Sequence, residues 1–252
     1  MVRFLLALIL CGSCFGQSFT VNDPAFGPSP SGAASSLITS LEAYWKLDES
    51  SGNATDSQAS IVLTNTSTTY VASKINNGAN FGAAGRHLSV GDLAALSFGD
   101  ESFTIAAWIK ANVSTSPQAW FGKWGAAGSK EYLLFSHNAT EKYSFYVSND
   151  GTATGSVQET NVITTGTWYF IVCQHDSVNN LLKIQVNNTG WTTTSFSAGV
   201  FNGTTAFRLG ENADGSVPCL GGVDEVGVWR RILTDAECTT LYNSGNGLSY
   251  PF

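Results

Sequence analysis

From residue 37 onward, short apolar runs alternate with clusters of Gly, Asn, Ser and Asp. The run SFTIAAWIKA places Phe103, Ile105, Ala107 and Ile109 on one face of an extended segment, because side chains alternate along a strand. Helical periodicity is nearly absent, and no fixed-period repeat occurs. The pattern therefore predicts an all-β domain, a two-sheet antiparallel jelly-roll sandwich with one short C-terminal helix.

Two pairs of these runs predict β-hairpins, because each pair is separated by only a few polar residues. EYLLFSH and KYSFYVS are joined by NATE, and TWYFIVCQHD and LLKIQVNN are joined by SVNN. The single helix is predicted in LTDAECTTLYNSG, where Thr234 and Glu237 have the spacing of a capping box. Leu233 and Cys238 occupy the hydrophobic staple positions, and Gly245 fits the position after the helix. A helix of about two turns is too short to be stable alone, so it should dock on the sandwich.

The N-terminal stretch MVRFLLALILCGSCFGQ predicts a signal peptide over residues 1–16, with cleavage before Gln17. The alternatives are a buried N-terminal strand, a fibre-packing segment or a lipoprotein acylated at Cys14. Residues 17–36 are rich in Pro, Gly and Ser and predict a flexible arm or linker, so that the domain covers 37–252. We therefore expect a secreted or surface-exposed protein. No other stretch is apolar enough for a transmembrane helix, so no membrane insertion of the mature chain is expected.

The charge balance narrows the range of partners. Only 12% of the residues are charged, and the net charge is −7 with 12 Lys and Arg residues. Nucleic acids and anionic membranes both require clustered cations, which argues against either as the main partner. The 43% of hydrophobic residues are sufficient for a sizeable core.

Three cysteines follow the predicted cleavage site, and an odd number leaves at least one thiol unpaired. Cys219 and Cys238 flank the segment GGVDEVGVWRRILTDAE and would close a short loop, so we predict a disulfide between them. Such a bridge would contribute about 3 kcal/mol to stability. Cys173 lies in a strand-like run and is expected to be a buried, reduced thiol.

Several segments have the order and spacing of a known family. LEAYWKLDESSGNATDS, ESFTIAAWIKA, GTWYFIVCQHDSVNNLLKIQVNNTG and GGVDEVGVWRRILTDAECTTLYNSG resemble the motifs of laminin-G-like (LamG-like) jelly-roll domains of the concanavalin A-like lectin/glucanase superfamily. The resemblance covers residues 41 to 244 and implies the same fold. It does not determine the function, because this superfamily includes lectins, adhesins, enzyme accessory modules and virion proteins.

The resemblance also implies a structural calcium ion. In such domains the Asp of the DE pair, here Asp224, helps to bind Ca²⁺ beside the first-strand loop, which supplies Asp48 and Asp56. Carboxylates and backbone carbonyls are the oxygen ligands that Ca²⁺ requires. Strand alternation would place Glu225 on the opposite face, where it would accept hydrogen bonds from backbone or from the arginines of WRR. The alternative is that both acids are rim residues with solvent or basic partners.

The sequence carries none of the common catalytic motifs. The sequence has no E-x-D-x-E run for glycoside hydrolysis and no G-x-S-x-G, H-E-x-x-H or P-loop motif, and its single C-x-x-C lies within the predicted signal peptide. Trp120 and Trp124, in a Gly-rich segment, are the best candidates for sugar stacking. The alternative is that these rings close the ends of the core.

The sequence therefore predicts an exported, non-enzymatic recognition module that binds a glycan or a protein at a surface, with a structural calcium ion. One alternative is a structural subunit of a virion, fibre or filament that self-assembles through its N-terminal arm. A second alternative is an unusual glycosidase.

Overall fold

The computed structural model describes residue 32 and residues 36–252. The predicted signal peptide and nearly all of the predicted arm, through which self-assembly was considered, lie outside the described residues. Sixteen strands are present in the described part of the chain. They are β1 Leu41–Trp45, β2 Ala54–Thr55, β3 Val62–Thr66, β4 Thr69–Ala72, β5 Asn77–Asn80, β6 His87–Val90, β7 Phe103–Ala111, β8 Gln118–Trp124, β9 Lys130–Ser136, β10 Tyr143–Ser148, β11 Thr154–Gln158, β12 Trp168–Asp176, β13 Leu181–Val186, β14 Trp191–Ser195, β15 Phe207–Leu209 and β16 Gly221–Trp229.

The strands form two antiparallel sheets, as predicted. The first sheet has the order β14-β13-β12-β7-β16-β5-β4, with β1 also paired to β16. The second sheet has the order β11-β10-β9-β8-β15-β6-β3-β2. Both predicted hairpins are present, as β9–β10 and β12–β13. None of the helices in the described residues is long and apolar enough to cross a membrane.

The main hydrophobic core lies between the two sheets. Every second residue of β7 enters it, including Phe103 and Ile105, as the alternating pattern predicts. Aromatic rings pack across the core: Trp45 stacks on Phe207 with centroids 5.6 Å apart, and Phe98 stacks on Phe103 at 4.3 Å. The face of each sheet that is turned away from this core is called its outer face below.

A second hydrophobic cluster covers the outer face of the first sheet, where the helix α1, Asp235–Tyr242, docks. Both halves of the predicted capping box are present, since Thr234 caps the Glu237 backbone and Glu237 caps that of Thr234. The helix ends earlier than predicted: Asn243, in the left-handed conformation, is its C-cap, and Gly245 belongs to the short 3₁₀ turn that follows.

The predicted disulfide between Cys219 and Cys238 is wrong, because all three cysteines of the described chain are free and buried. Cys219 lies in the core between the sheets, whereas Cys238 lies on the buried side of α1 in the outer cluster. The first sheet therefore separates the two sulfur atoms. Cys173 is a buried thiol, as expected.

We predict that these thiols react only after unfolding, because burial excludes reagents and raises the pKa of all three thiols above the usual range. Alkylation with iodoacetamide, without reductant, should modify Cys173, Cys219 and Cys238 in guanidinium chloride but not in native buffer. Peptide mapping by mass spectrometry reads each site separately. A disulfide-linked peptide that contains Cys219 and Cys238 would contradict the structure.

Candidate functional site

The DE pair within GGVDEV lies at a β-bulge in the centre of β16. Asp224 pairs with Trp108 and Gly227 pairs with Ala106, so two residues of β16, Glu225 and Val226, lie opposite a single residue of β7. Glu225 has φ +50, in the left-handed region. Asp224 is paired across the strands with Trp108 of the outer cluster, and Glu225 contacts the same cluster. The bulge therefore places both carboxylates on the outer face, and the prediction that they point to opposite faces is wrong.

Both carboxylates are buried, with 0% of Asp224 and 3% of Glu225 exposed. The Oδ2 atom of Asp224 accepts a hydrogen bond from the backbone N–H of Ile75 at 2.9 Å. Its Oδ1 atom and both oxygens of Glu225 have no hydrogen bond of regular geometry. Burial raises the pKa of Asp224 to about 9, with a further contribution from the Glu225 charge, and burial raises that of Glu225 to about 7.

The arginines of WRR do not reach Glu225, contrary to expectation. Arg230 pairs with Glu42 at 3.1 Å and with Glu101 at 2.6 Å, and Arg231 pairs with Glu237 of α1 at 2.7 Å. These two arginines instead join the end of β16 to β1 and to the helix.

The C-terminal tail covers the acidic pair. The hydroxyl of Tyr44 donates to the Leu248 carbonyl at 3.2 Å, and the Tyr44 ring packs against Tyr250 and Phe252 with centroids 5.9 and 5.2 Å away. The side chains of Tyr44 and Ser249 lie beside Glu225 and lower its pKa against the larger effect of burial. The tail thus keeps water away from the two carboxylates.

The three residues predicted as calcium ligands have different surroundings. Asp56 accepts hydrogen bonds from four backbone N–H groups: Tyr44 at 2.7 Å, Gln58 at 2.8 Å, Ala59 at 2.6 Å and Ile61 at 3.4 Å. Four bonds use the whole acceptor capacity of a carboxylate, so Asp56 closes the loop after β1 and has no lone pair left for a metal.

Asp48 accepts from the Asn77 backbone at 3.2 Å and lies 3.9 Å from the Lys46 ammonium. Its charge adds to the raised pKa of Asp224, which places the two carboxylates near each other. Within residues 36–252, no three His, Cys, Asp or Glu side chains are arranged as a group that could hold a metal ion. Asp48, Asp56 and Asp224 thus do not form a ligand set, although Asp224 keeps one oxygen without a hydrogen bond.

A surface pocket of about 290 Å³ lies on the outer face of the second sheet. Aromatic, apolar and polar side chains of β8, β9, β10 and the β9–β10 turn line it: Trp124, Leu133, Phe135, His137, Asn138 and Tyr146. Side chains alternate along β9. Tyr132 and Leu134 enter the core, so Leu133 and Phe135 face outward. β9 is thus apolar on both faces: on its outer side Leu133 is only 4% exposed and Phe135 is partly exposed.

Of the two predicted sugar-stacking residues, only Trp124 reaches this pocket. Trp120 is 0% exposed, and its indole N–H donates to Ser136 at 3.1 Å inside the core. A register shift in β8 at Trp120 turns its ring inward. The structure therefore contradicts a ligand-binding role for Trp120, whose ring completes the core.

The pocket combines flat aromatic surfaces with uncharged hydrogen-bonding groups. Trp124 and Tyr146 are arranged edge to face with centroids 6.0 Å apart. The Tyr146 hydroxyl lies 2.8 Å from Nε2 of His137. Burial lowers the pKa of His137, so its ring is neutral at neutral pH. The Lys130 ammonium lies 5.5 Å from the centre of the Trp124 ring at the rim.

A buried ion pair fixes the end of β8 that carries Trp124. The Lys123 ammonium, 0% exposed, lies 2.8 Å from Glu131 and 2.6 Å from Asp92. Lys123 points inward by regular alternation with Phe121 of the core, and a register shift at Glu131 of β9 leaves Trp124 opposite Lys130. Neither this anchor nor the pocket residues other than Trp124 were predicted. The continuous apolar run in EYLLFSH was the available signal, because an exposed outer face normally has polar residues at alternate positions.

Comparison with known proteins agrees with this architecture. The laminin G family model described as "Concanavalin A-like lectin/glucanases superfamily" matches residues 81–239, more than half of the chain. No curated protein matches the chain in sequence.

Among solved structures, the binding domain of Paraclostridial Mosquitocidal Protein 1 has a TM-score of 0.68 and 11% identity, with 83% of this chain and 53% of that chain covered. The botulinum neurotoxin serotype D ligand binding domain, in complex with N-acetylneuraminic acid, has a TM-score of 0.68 and 10% identity, with coverage of 84% and 52%. This chain therefore spans about half the length of the toxin domains. Domain 4 of AbnA, an extracellular arabinanase from Geobacillus stearothermophilus, in complex with arabinotriose, has a TM-score of 0.60 and 18% identity, with coverage of 82% and 98%.

The buried acids predict that stability falls as pH rises. The folded-state pKa of Asp224 is raised from 3.8 to about 9, so the folded state holds a proton that the unfolded state releases above pH 4. In EDTA, the contribution of Asp224 to the free energy of unfolding should decrease between pH 4 and 9, by at most about 1.4 kcal/mol per pH unit for one proton. Asp224→Asn should flatten this dependence in urea titrations. An equally steep slope in the variant would contradict the assignment.

Proposed function

We propose that this chain, which belongs to the concanavalin A-like lectin/glucanase superfamily, is an exported binding domain that takes a glycan in the pocket formed around Trp124. The supporting observation is the uncovered aromatic pocket on the outer face of the second sheet. Sugar rings present apolar C–H faces that pack on aromatic rings, and their hydroxyls require nearby hydrogen-bonding groups. Trp124 and Tyr146 supply the first, and His137 and Asn138 supply the second.

The electrostatics of the pocket favour a neutral, hydroxyl-rich ligand over a charged peptide. No carboxylate lines the pocket, His137 is neutral at neutral pH, and Lys130 stands only at the rim. The volume of about 290 Å³ suits one or two sugar units better than a folded protein surface. The neighbours that were solved with N-acetylneuraminic acid and with arabinotriose support glycan as the ligand class.

The test compares glycan binding by the Trp124→Ala variant with glycan binding by the parent protein. Loss of the indole should lower glycan affinity about tenfold to a hundredfold, because a central aromatic side chain supplies much of the binding energy in such sites. The secreted protein is screened on a glycan array that includes arabinotriose and N-acetylneuraminic acid, and positive ligands are then measured by calorimetry. Trp168→Ala, a half-buried Trp on the first sheet, is the matched control and should retain the parent affinity.

Trp124→Phe should keep part of the affinity, because a smaller ring still presents a flat face. Parent protein that binds no glycan on the array would overturn the proposal. Equal binding by the parent and Trp124→Ala would move the site away from this pocket.

We propose separately that Ca²⁺ binds at the acidic pair, because Oδ1 of Asp224 and both oxygens of Glu225 have no hydrogen bond of regular geometry. A bound cation would compensate two buried carboxylates and keep them ionised. At a hundredfold excess over Kd, a ligand that binds only the folded state contributes about 2.7 kcal/mol. The melting temperature should therefore rise by several degrees when Ca²⁺ replaces EDTA, and Asp224→Asn should abolish the rise. Asp100→Asn, at an exposed position, is the control, and an unchanged parent melting temperature would reject the ion.

A further inference from the structure

The pocket lies near one end of a row of paired residues that crosses the outer face of the second sheet. Strand register places one residue from each of seven neighbouring strands directly opposite the next. In order from β11 to β3, they are Ser156, Tyr146, Leu133, Gly122, Arg208, Ser89 and Thr64. These residues are called the cross-strand row.

No side chain stands at the centre of the row, because residue 122 is a glycine. A Cβ atom at Gly122 would lie 2.3 Å from the Tyr132 carbonyl oxygen, so the backbone at this position excludes other residues. No side chain at position 122 thus separates the pocket from the residues on its far side. From Leu133 to Thr64 the row spans four strand spacings, about 19 Å.

Arg208 is the main polar group beyond the glycine. It lies between two core residues of β15, Phe207 and Leu209, and so points to the outer face. Its Nη1 donates to Glu211 and to the Asn212 carbonyl, each at 3.2 Å. These bonds fix the guanidinium plane and use only Nη1, and its buried Nε has no partner.

The charge of this far end is balanced. Glu211 lies 3.2 Å from Arg208 and 3.1 Å from Nδ1 of His87, so the carboxylate offsets the guanidinium. Burial, followed by the Arg208 charge, lowers the pKa of His87. Ser89 and Thr64 add hydroxyl groups to the row. The far end therefore offers neutral hydrogen bonding, which matches hydroxyls better than it matches carboxylates or phosphates.

We infer that the cross-strand row is an extended subsite, and that the ligand is a linear, uncharged oligosaccharide that runs from the Trp124 pocket over Gly122 to Arg208 and Ser89. This inference rests on the proposed glycan-binding function and specifies its ligand class. A single sugar would occupy the pocket alone, whereas a chain would also contact the hydrogen-bonding groups of β15, β6 and β3.

The test is the dependence of affinity on chain length. Ladders of neutral oligosaccharides from mono- to hexasaccharide, including the arabino-oligosaccharides, are measured by calorimetry against the whole protein. Affinity should rise about tenfold between the disaccharide and the hexasaccharide, since one or two additional hydrogen bonds of about 1 kcal/mol each give roughly that factor. Arg208→Gln and Ser89→Val should remove most of this increase and leave disaccharide affinity within about twofold of the parent.

Two variants test whether a loss of affinity comes from the removal of any hydroxyl group or from misfolding. Thr193→Val makes the same loss of a hydroxyl on an exposed strand of the first sheet and should bind every ligand as the parent does. Ser89→Val keeps the Arg208–Glu211 pair intact and is compatible with a strand, so it separates a lost contact from misfolding.

The outcomes separate the two proposals. Trp124-dependent binding with no dependence on chain length, or with a length dependence that survives Arg208→Gln and Ser89→Val, overturns the extended subsite and leaves the pocket. Preference for acidic over neutral oligosaccharides also overturns the inference. Absence of binding to every ladder overturns both.

Discussion

The bulge at Glu225 is the constraint on which much of the first sheet depends. β16 pairs along one edge with β7 and along the other with both β5 and β1, so it joins the first strand of the domain to the middle of the sheet. A left-handed residue in its centre allows Val223 and Val226 to enter the core while both acids lie outside it. The acidic pair needs cover, and the backbone of Ile75 and the C-terminal tail provide it.

The outer faces of the two sheets are therefore occupied differently. The outer face of the first sheet is occupied by α1, the tail and the acidic pair, and these elements bring together segments far apart in the sequence. The outer face of the second sheet has no helix over Trp124 and Tyr146 in the described chain. Because the outer face of the first sheet is covered by the protein's own elements, the outer face of the second sheet is the one available to a ligand. The stability of the acidic pair and ligand binding should therefore be separable by mutation.

The sequence predicted the two-sheet fold because alternation of apolar residues depends only on local backbone geometry. The capping box of α1 and both hairpins were predicted for the same reason, since each is encoded in one short continuous segment. The predictions that were wrong concern positions where the strands depart from regular alternation of side chains. The bulge at Glu225 reversed the expected side of its carboxylate, and a register shift at Trp120 turned that ring inward. Cys219 and Cys238 are close in sequence but are separated by a sheet.

The same irregularities also built the candidate site, which is why the sequence identified only Trp124 of its residues. The extra residue of β9, Glu131, leaves Trp124 paired with Lys130 beside the inward-pointing Lys123. An inward lysine is tolerated only because Glu131 and Asp92 pair with its buried ammonium. Lys123 therefore does more than fill space: its ion pairs hold β8 in the register at which Trp124 lies beside Tyr146 and Gly122 stands opposite Arg208. An apolar residue at position 123 would leave Glu131 buried and unpaired, so the anchor and the aromatic pocket form one unit.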